Sequence, residues 1–304
     1  MLLKNKIPFR YVFGQIKYEL ILVTLYGISI ELVEIGYKAF TKHEFSIPIA
    51  VPTVLGTIIS LLLAFRSNLS YDRWWEARQI WGAIVNDSRT LTRQLSSLNI
   101  EEETEETEAF RKNFINRQIA WNFALAKSLR NGIPLPYIEK FLRPDEFEYV
   151  AQFNNVPMAL LDLHGRDLKT ALRKKWINGF QQIQLDQTVT RLCDAMGKCE
   201  RIKKTVFPST YQLYIHFALW VFTLLLPFAL VDLFGFIMIP ILVIITSCFF
   251  LIEKMAIQLQ DPFENKPTDI PVLSISRTIE RDLKQLMAEK EIPQEFEQKE
   301  FYVM

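Results

Sequence analysis

The chain has 304 residues, half of them apolar, with 35 Lys and Arg against 34 Asp and Glu. That near-neutral balance excludes the basic excess a nucleic-acid binder needs. A charged fraction of 23 % beside 23 phenylalanines also excludes a uniform composition: the charges are segregated, leaving zones 18–65 and 206–252 almost free of them, as in a membrane protein with a substantial soluble part.

The N-terminal segment 1–17 carries Lys4, Lys6, Arg10 and Lys17. The first apolar run begins near Leu20 and lacks a small-residue cleavage site, so no cleaved leader is expected. Span one, about 18–40, is interrupted by Glu31 and Glu34. Span two, 47–65, holds 19 uncharged residues, enough to cross a ~30 Å hydrocarbon core. It runs into Arg66-Ser-Asn-Leu-Ser-Tyr-Asp-Arg-Trp-Trp-Glu-Ala-Arg-Gln-Ile-Trp81, where arginines and tryptophans favour the cytoplasmic side and the headgroup layer. Trp74, Trp75, Ile80, Trp81, Ile84 and Val85 fit one face of a helix continuing from that span.

The stretch 66–205 reads as a cytosolic helical region. The acidic run Glu101–Glu108 favours the positive end of a helix, and Pro134, Pro136 and Pro144 punctuate short ones. Leu168–Lys204 reads as a single long helix leading into span three (206–231), with Pro208 near its start. Only Asp232 separates span three from span four (233–252), so the two form a tight hairpin with Gly235 available to the turn. The C-terminal segment 253–304 contains the turn-rich Asp261–Asp269 and then a polar helix with Ile275, Ile279, Leu283 and Leu286 on one face. No useful period-2 stretch occurs, so the fold is all-α. Lys and Arg crowd the N-terminus and both flanks of the middle region, while the outer connections hold only Lys38 and Lys42. Both termini and the middle are therefore expected on the cytoplasmic side.

Catalytic chemistry is poorly supported. His43, His164 and His216 are scattered, none with a Cys or His at ligand spacing, and no phosphate loop, nucleophile elbow or HExxH occurs. No catalytic, metal or cofactor site is expected. His216, an ionisable group inside span three, is either a functional residue or a packed neutral imidazole. Cys193, Cys199 and Cys248 read as reduced packing residues facing a cytosol-like compartment. Thr57, Leu61 and Phe65 lie one above the other along span two, which suits lipid- or helix-facing residues as well as a functional row.

Ser70-Tyr-Asp-Arg-Trp-Trp-Glu-Ala-Arg78, behind a span ending in Ala-Phe-Arg66, resembles the signature of bestrophins, in the bacterial branch that is also similar to plant chloride channels. Cys199–Pro208 and Glu253-Lys-Met-Ala-Ile-Gln-Leu-Gln-Asp-Pro-Phe263 resemble the segments entering the family's third span and leaving its fourth. Arg73-Trp74-Trp75 and Asp261-Pro262-Phe263 are the specific pair. The resemblance implies a homopentamer around one pore, four transmembrane helices continuing into a cytosolic bundle, and a neck of Thr57, Leu61 and Phe65. Thr57 departs from the larger apolar residue usual at its ring, which makes the neck wetter there. A cytosolic aperture maps near Phe180, with Ile177, Ile183 and Gln184 on the same helical face. Eukaryotic members carry an acidic calcium clasp after the Pro-Phe. Here Glu264-Asn-Lys-Pro-Thr-Asp269 places Lys266 where a carboxylate is expected and leaves too few oxygens, so no calcium gating is expected. In a pentamer Glu31 and Glu34 would become a candidate outer charge ring, against the alternative of paired or snorkelling interfacial carboxylates.

The expected function is a cofactor-free channel for small monovalent ions in the plasma membrane, chloride by family type with cation preference open in bacterial members. Its partners are further copies of itself, the bilayer and the permeant ions. A non-conducting scaffold acting through its cytosolic helices, and a membrane enzyme at the cytosolic face, are the alternatives.

Overall fold

The computed structural model describes residues 8–41, 46–98, 104–205 and 208–296. Lys4, Lys6, Lys42, His43, the first three glutamates of the acidic run and the 206–207 junction lie outside the described residues. Among those described, every regular element is helical, as the absence of period-2 patterning requires. In hydrocarbon a segment has no water for its backbone, and the helix closes those bonds within itself. The chain divides into two compact units, Leu3–Trp74 with Val206–Asp261 and Trp75–Thr205 with Pro262–Met304.

The first unit is built from α1 (Phe9–Gly14), α2 (Lys17–Thr41), the first half of α3 (Ala50–Ser96), α9 (Ser209–Phe234) and α10 (Met238–Gln260). Three stretches are long and apolar enough to cross a membrane: Lys17–Phe40, the start of Ala50–Ser96, and Ser209–Gln260. The last is folded back on itself, since α9 packs along α10 and Trp220 and Phe222 meet Phe250 and Phe249 at 5.3 and 5.2 Å between ring centroids. The reversal falls at Gly235, not at Asp232, which lies inside α9. Gly235 adopts φ 49°, ψ −134°, a conformation open essentially to glycine alone. A charge does not break a helix, but a residue that needs positive φ does. Ile59, Leu63, Leu219, Phe222, Leu242 and Phe250 belong to the buried core these helices share.

This unit reaches past the apolar runs, to Trp74 and Asp261. Ion pairs joining the continuing turns of α3 and α10, Arg66–Glu253 at 3.8 Å and Arg73–Asp261 at 3.9 Å, account for the extension.

The second unit packs the rest of α3 with α4 (Glu105–Leu129), α5 (Leu135–Ile138), α6 (Pro144–Ala151), α7 (Val156–Arg173), α8 (Gly179–Lys204) and α11 (Val272–Leu286). The acidic run starts α4 as expected: Thr104 caps it, with Glu105, Glu106 and Glu108 in the first turn. α4 is buried along most of its length, against α7 and α11. Its interior is partly polar: Arg117 pairs with Glu146 and with Asp167, and Gln118 and Asn122 donate to the Ser88 hydroxyl.

The single helix expected over Leu168–Lys204 is two. α7 ends at Arg173, Lys175 takes φ 59°, and α8 restarts at Gly179 under an Asn178 cap. The cap satisfies the amide of Gln181 at 2.9 Å, which offsets the break. On α11, Ile279 and Leu283 are buried, but Ser276 and Glu280 share their face while Leu286 is exposed.

Candidate functional site

Two faces of the first half of α3 have opposite fates. Pro52, Ile59, Leu63, Arg66 and Ser70 are buried, with Gly56 set against Phe222 so closely that an added Cβ would lie 3.1 Å from its ring. The other face, Val54, Ile58, Leu61, Phe65 and Leu69, is exposed, Leu61 by 58 % and Phe65 by 55 %. Thr57 is exposed on that face too. Its hydroxyl donates to the Thr53 carbonyl at 2.9 Å, the local bond a threonine makes inside a helix. The ring level it supplies therefore presents a methyl group and oxygen lone pairs, not a free O–H.

Behind this face lies a polar chain that crosses three helices, buried at Arg66 and Glu253 and partly exposed at His216. The Glu253 carboxylate is 1 % exposed and faces the fully buried Arg66 guanidinium at 3.8 Å. It also lies 3.1 and 3.2 Å from His216 Nδ1. Trp220 Nε1 donates to His216 Nε2 at 3.0 Å. An indole N–H can only donate, so Nε2 accepts and the ring proton sits on Nδ1, directed at the carboxylate. His216 is thus a positioned member of a network. That network was not read from the sequence, although a signal existed: Arg66 and Glu253 are the first charged residues after the uncharged runs of spans two and four.

The remaining expected residues are placed as follows. Glu31 and Glu34 are both buried within the chain. Lys38 bridges Glu34 at 3.2 Å and Asp232 at 2.8 Å, so Glu34 is a paired carboxylate here. Arg73 meets Asp261, Trp74 stacks with Tyr71, and Trp75 is half-exposed. Pro262 and Phe263 are buried, and the Pro262 carbonyl accepts from Ile270 N.

In the second unit Phe180 is 88 % exposed and Ile183 and Gln184 are exposed beside it. Ile177 does not share their face: it precedes α8 and is 3 % exposed, because the helix break at 174–178 turns it into the interior.

Of the segment after the Pro-Phe, Glu264 is held by Lys203 at 2.6 Å, a contact that keeps its carboxyl below the usual range. Asp269 accepts from the Lys266 backbone N–H at 3.1 Å, while burial pushes its carboxyl up against the pull of that bond and of Arg130. Cys199 is buried, its thiol pushed up to about 12, which removes it from thiolate chemistry. Among the described residues no three His, Cys, Asp or Glu side chains gather to hold a metal.

A family model for bacterial and fungal bestrophin proteins matches residues 9–285. A voltage-dependent anion channel-forming protein of Escherichia coli K12 is 30 % identical over 287 residues, 93 % of this chain and 90 % of that protein. One from a Nostoc species is 28 % identical, covering 90 % and 88 %. A crystal structure of a bacterial bestrophin homologue from Klebsiella pneumoniae superposes with a TM-score of 0.83 at 26 % identity, over 91 % of this chain and all of that one.

Proposed function

Because the chain belongs to the bacterial and fungal bestrophin family, we propose that it is an ion channel in which five copies surround a pore lined by the exposed face of α3. Small monovalent ions pass through it. The observation that carries this reading is the exposed row of Thr57, Leu61 and Phe65 on a helix whose opposite face holds the buried Pro52, Ile59, Leu63 and Arg66. In an oligomer each level of the row becomes a ring. A narrow apolar ring empties of water and bars an ion until it widens. The relatives' names as anion channel-forming proteins support transport, and chloride is the type ion. Aromatic edges favour anions and faces favour cations, so Phe65 suits either.

The accompanying topology is four crossings, by α2, α3, α9 and α10, in the plasma membrane, with both termini cytoplasmic. Phe180, with Ile183 and Gln184, is assigned to a second constriction.

The test is current through the purified protein in a planar bilayer under asymmetric KCl. Leu61→Ala and Phe65→Ala should each raise conductance several-fold if these side chains form the neck. A reversal potential near the chloride value makes it an anion channel, and one near the potassium value a cation channel. Silence from the unaltered protein and both variants would leave the non-conducting scaffold as the better account.

A further inference from the structure

Fixed charge near the narrow part of a conduit is one source of ion selectivity, and the exposed face of the first half of α3 carries one such charge. Asp72 lies eleven residues past Leu61 and seven past Phe65, close to three and two whole helical turns. It therefore shares their face, about 10 Å further along the axis from Phe65 at 1.5 Å per residue. It is exposed, and among the described residues its side chain has no hydrogen bond or ion pair. The nearest charges of α3 are engaged elsewhere, Glu76 with Arg201. Arg66 is buried against Glu253 and Arg73 is turned to Asp261. Between Val54 and Trp74 the face holds Ile58, Leu61, Phe65, Asn68 and Leu69 besides, none of them charged. An unpaired carboxylate aligned with the apolar row has no structural task within the chain.

We propose that Asp72 is a selectivity-determining residue: repeated around the axis, it forms a ring of negative charge on the cytoplasmic side of the neck that concentrates cations and repels anions there. The inference rests on the pore reading above. Its range fits the task, because the Debye length at physiological ionic strength is about 8 Å, similar to the separation between Asp72 and Phe65. A charged ring in a low-dielectric wall raises local counter-ion concentration by about tenfold or more, and part of that gain survives screening.

The test uses the full-length protein in planar bilayers under asymmetric KCl, with Leu61→Ala as background so that current is abundant. Asp72→Asn, an isosteric change at an exposed position, should lower the potassium-to-chloride permeability ratio roughly threefold or more, and Asp72→Lys should lower it further. The effect should shrink in 1 M salt, where the Debye length is about 3 Å. Asp145→Asn, removing an exposed carboxylate of α6, should leave the ratio unchanged. An unchanged ratio in Asp72→Asn and Asp72→Lys, with Leu61→Ala still raising current, overturns the role of Asp72 and leaves the pore intact. No current from any variant overturns both.

Discussion

Glu253 illustrates how a single carboxylate is accommodated at the edge of an apolar unit. It is buried with Arg66 and His216 as its neighbours, and a buried charge persists only where partners replace water. Removing one partner leaves the other stranded. Glu253→Ala should therefore cost about 3–5 kcal/mol, seen as a large drop in the unfolding midpoint of the purified protein. Replacing both charges, Arg66→Met with Glu253→Leu, should restore most of that loss, because apolar packing of similar volume substitutes well for a buried ion pair. A single variant as stable as the parent would show that the pair carries no structural weight. Each of these residues was conspicuous in the sequence as the first charge after an uncharged run, but nothing in the linear order says that they meet.

At the scale of the element, α7 is fastened to α4 by an unusual residue. His164 is fully buried, its ring 4.1 Å from that of Phe114, and neither ring nitrogen has a hydrogen-bond partner among the described residues. Burial, and then the nearby Arg117 charge, push its pKa well below the ordinary value. The unfolded chain takes up a proton there below about pH 6.5 while the folded chain does not. The stability that depends on the neutral ring is thus full above that pH and is lost as the pH falls toward the folded pKa. Thermal unfolding followed between pH 7 and 5 should show the midpoint falling with acid, and His164→Leu should flatten that slope. An identical slope in the variant would place the acid sensitivity elsewhere.

Element boundaries show the same division of causes. The start of α4 was legible because its acidic first turn suits the helix N-terminus. The break between α7 and α8 was not, because Lys175 carries no signature of its left-handed backbone. The expectation that Ile177 shares the helical face of Phe180 needs one continuous helix, and the break is what buries it. Pro208, expected near the start of its span, is the residue that precedes α9.

For the whole molecule, the exposed apolar side chains are the main physical demand. Lipid satisfies those that face the bilayer, whereas Phe180 stands exposed with Ile183 beside it on the other unit, and grouped apolar side chains of that kind suit a contact with another chain. Light scattering of the purified protein in detergent should give the mass of five chains. A monodisperse monomer would refute the proposed pore, since one copy of α3 encloses nothing.

The sequence by itself determined the segregation of charge, the apolar runs, the all-helical character and the family. These follow from local composition and periodicity, which act within a few turns of the chain. Only the tertiary structure decided that Glu34 is paired with Lys38, that Thr57 gives its proton to its own helix, and that Arg66, Glu253, His216 and Trp220 form one chain of contacts. Only it showed that Asp72 is left without a partner. The reason is physical: hydropathy is additive along a segment, whereas a charge's role depends on which distant side chain replaces its water.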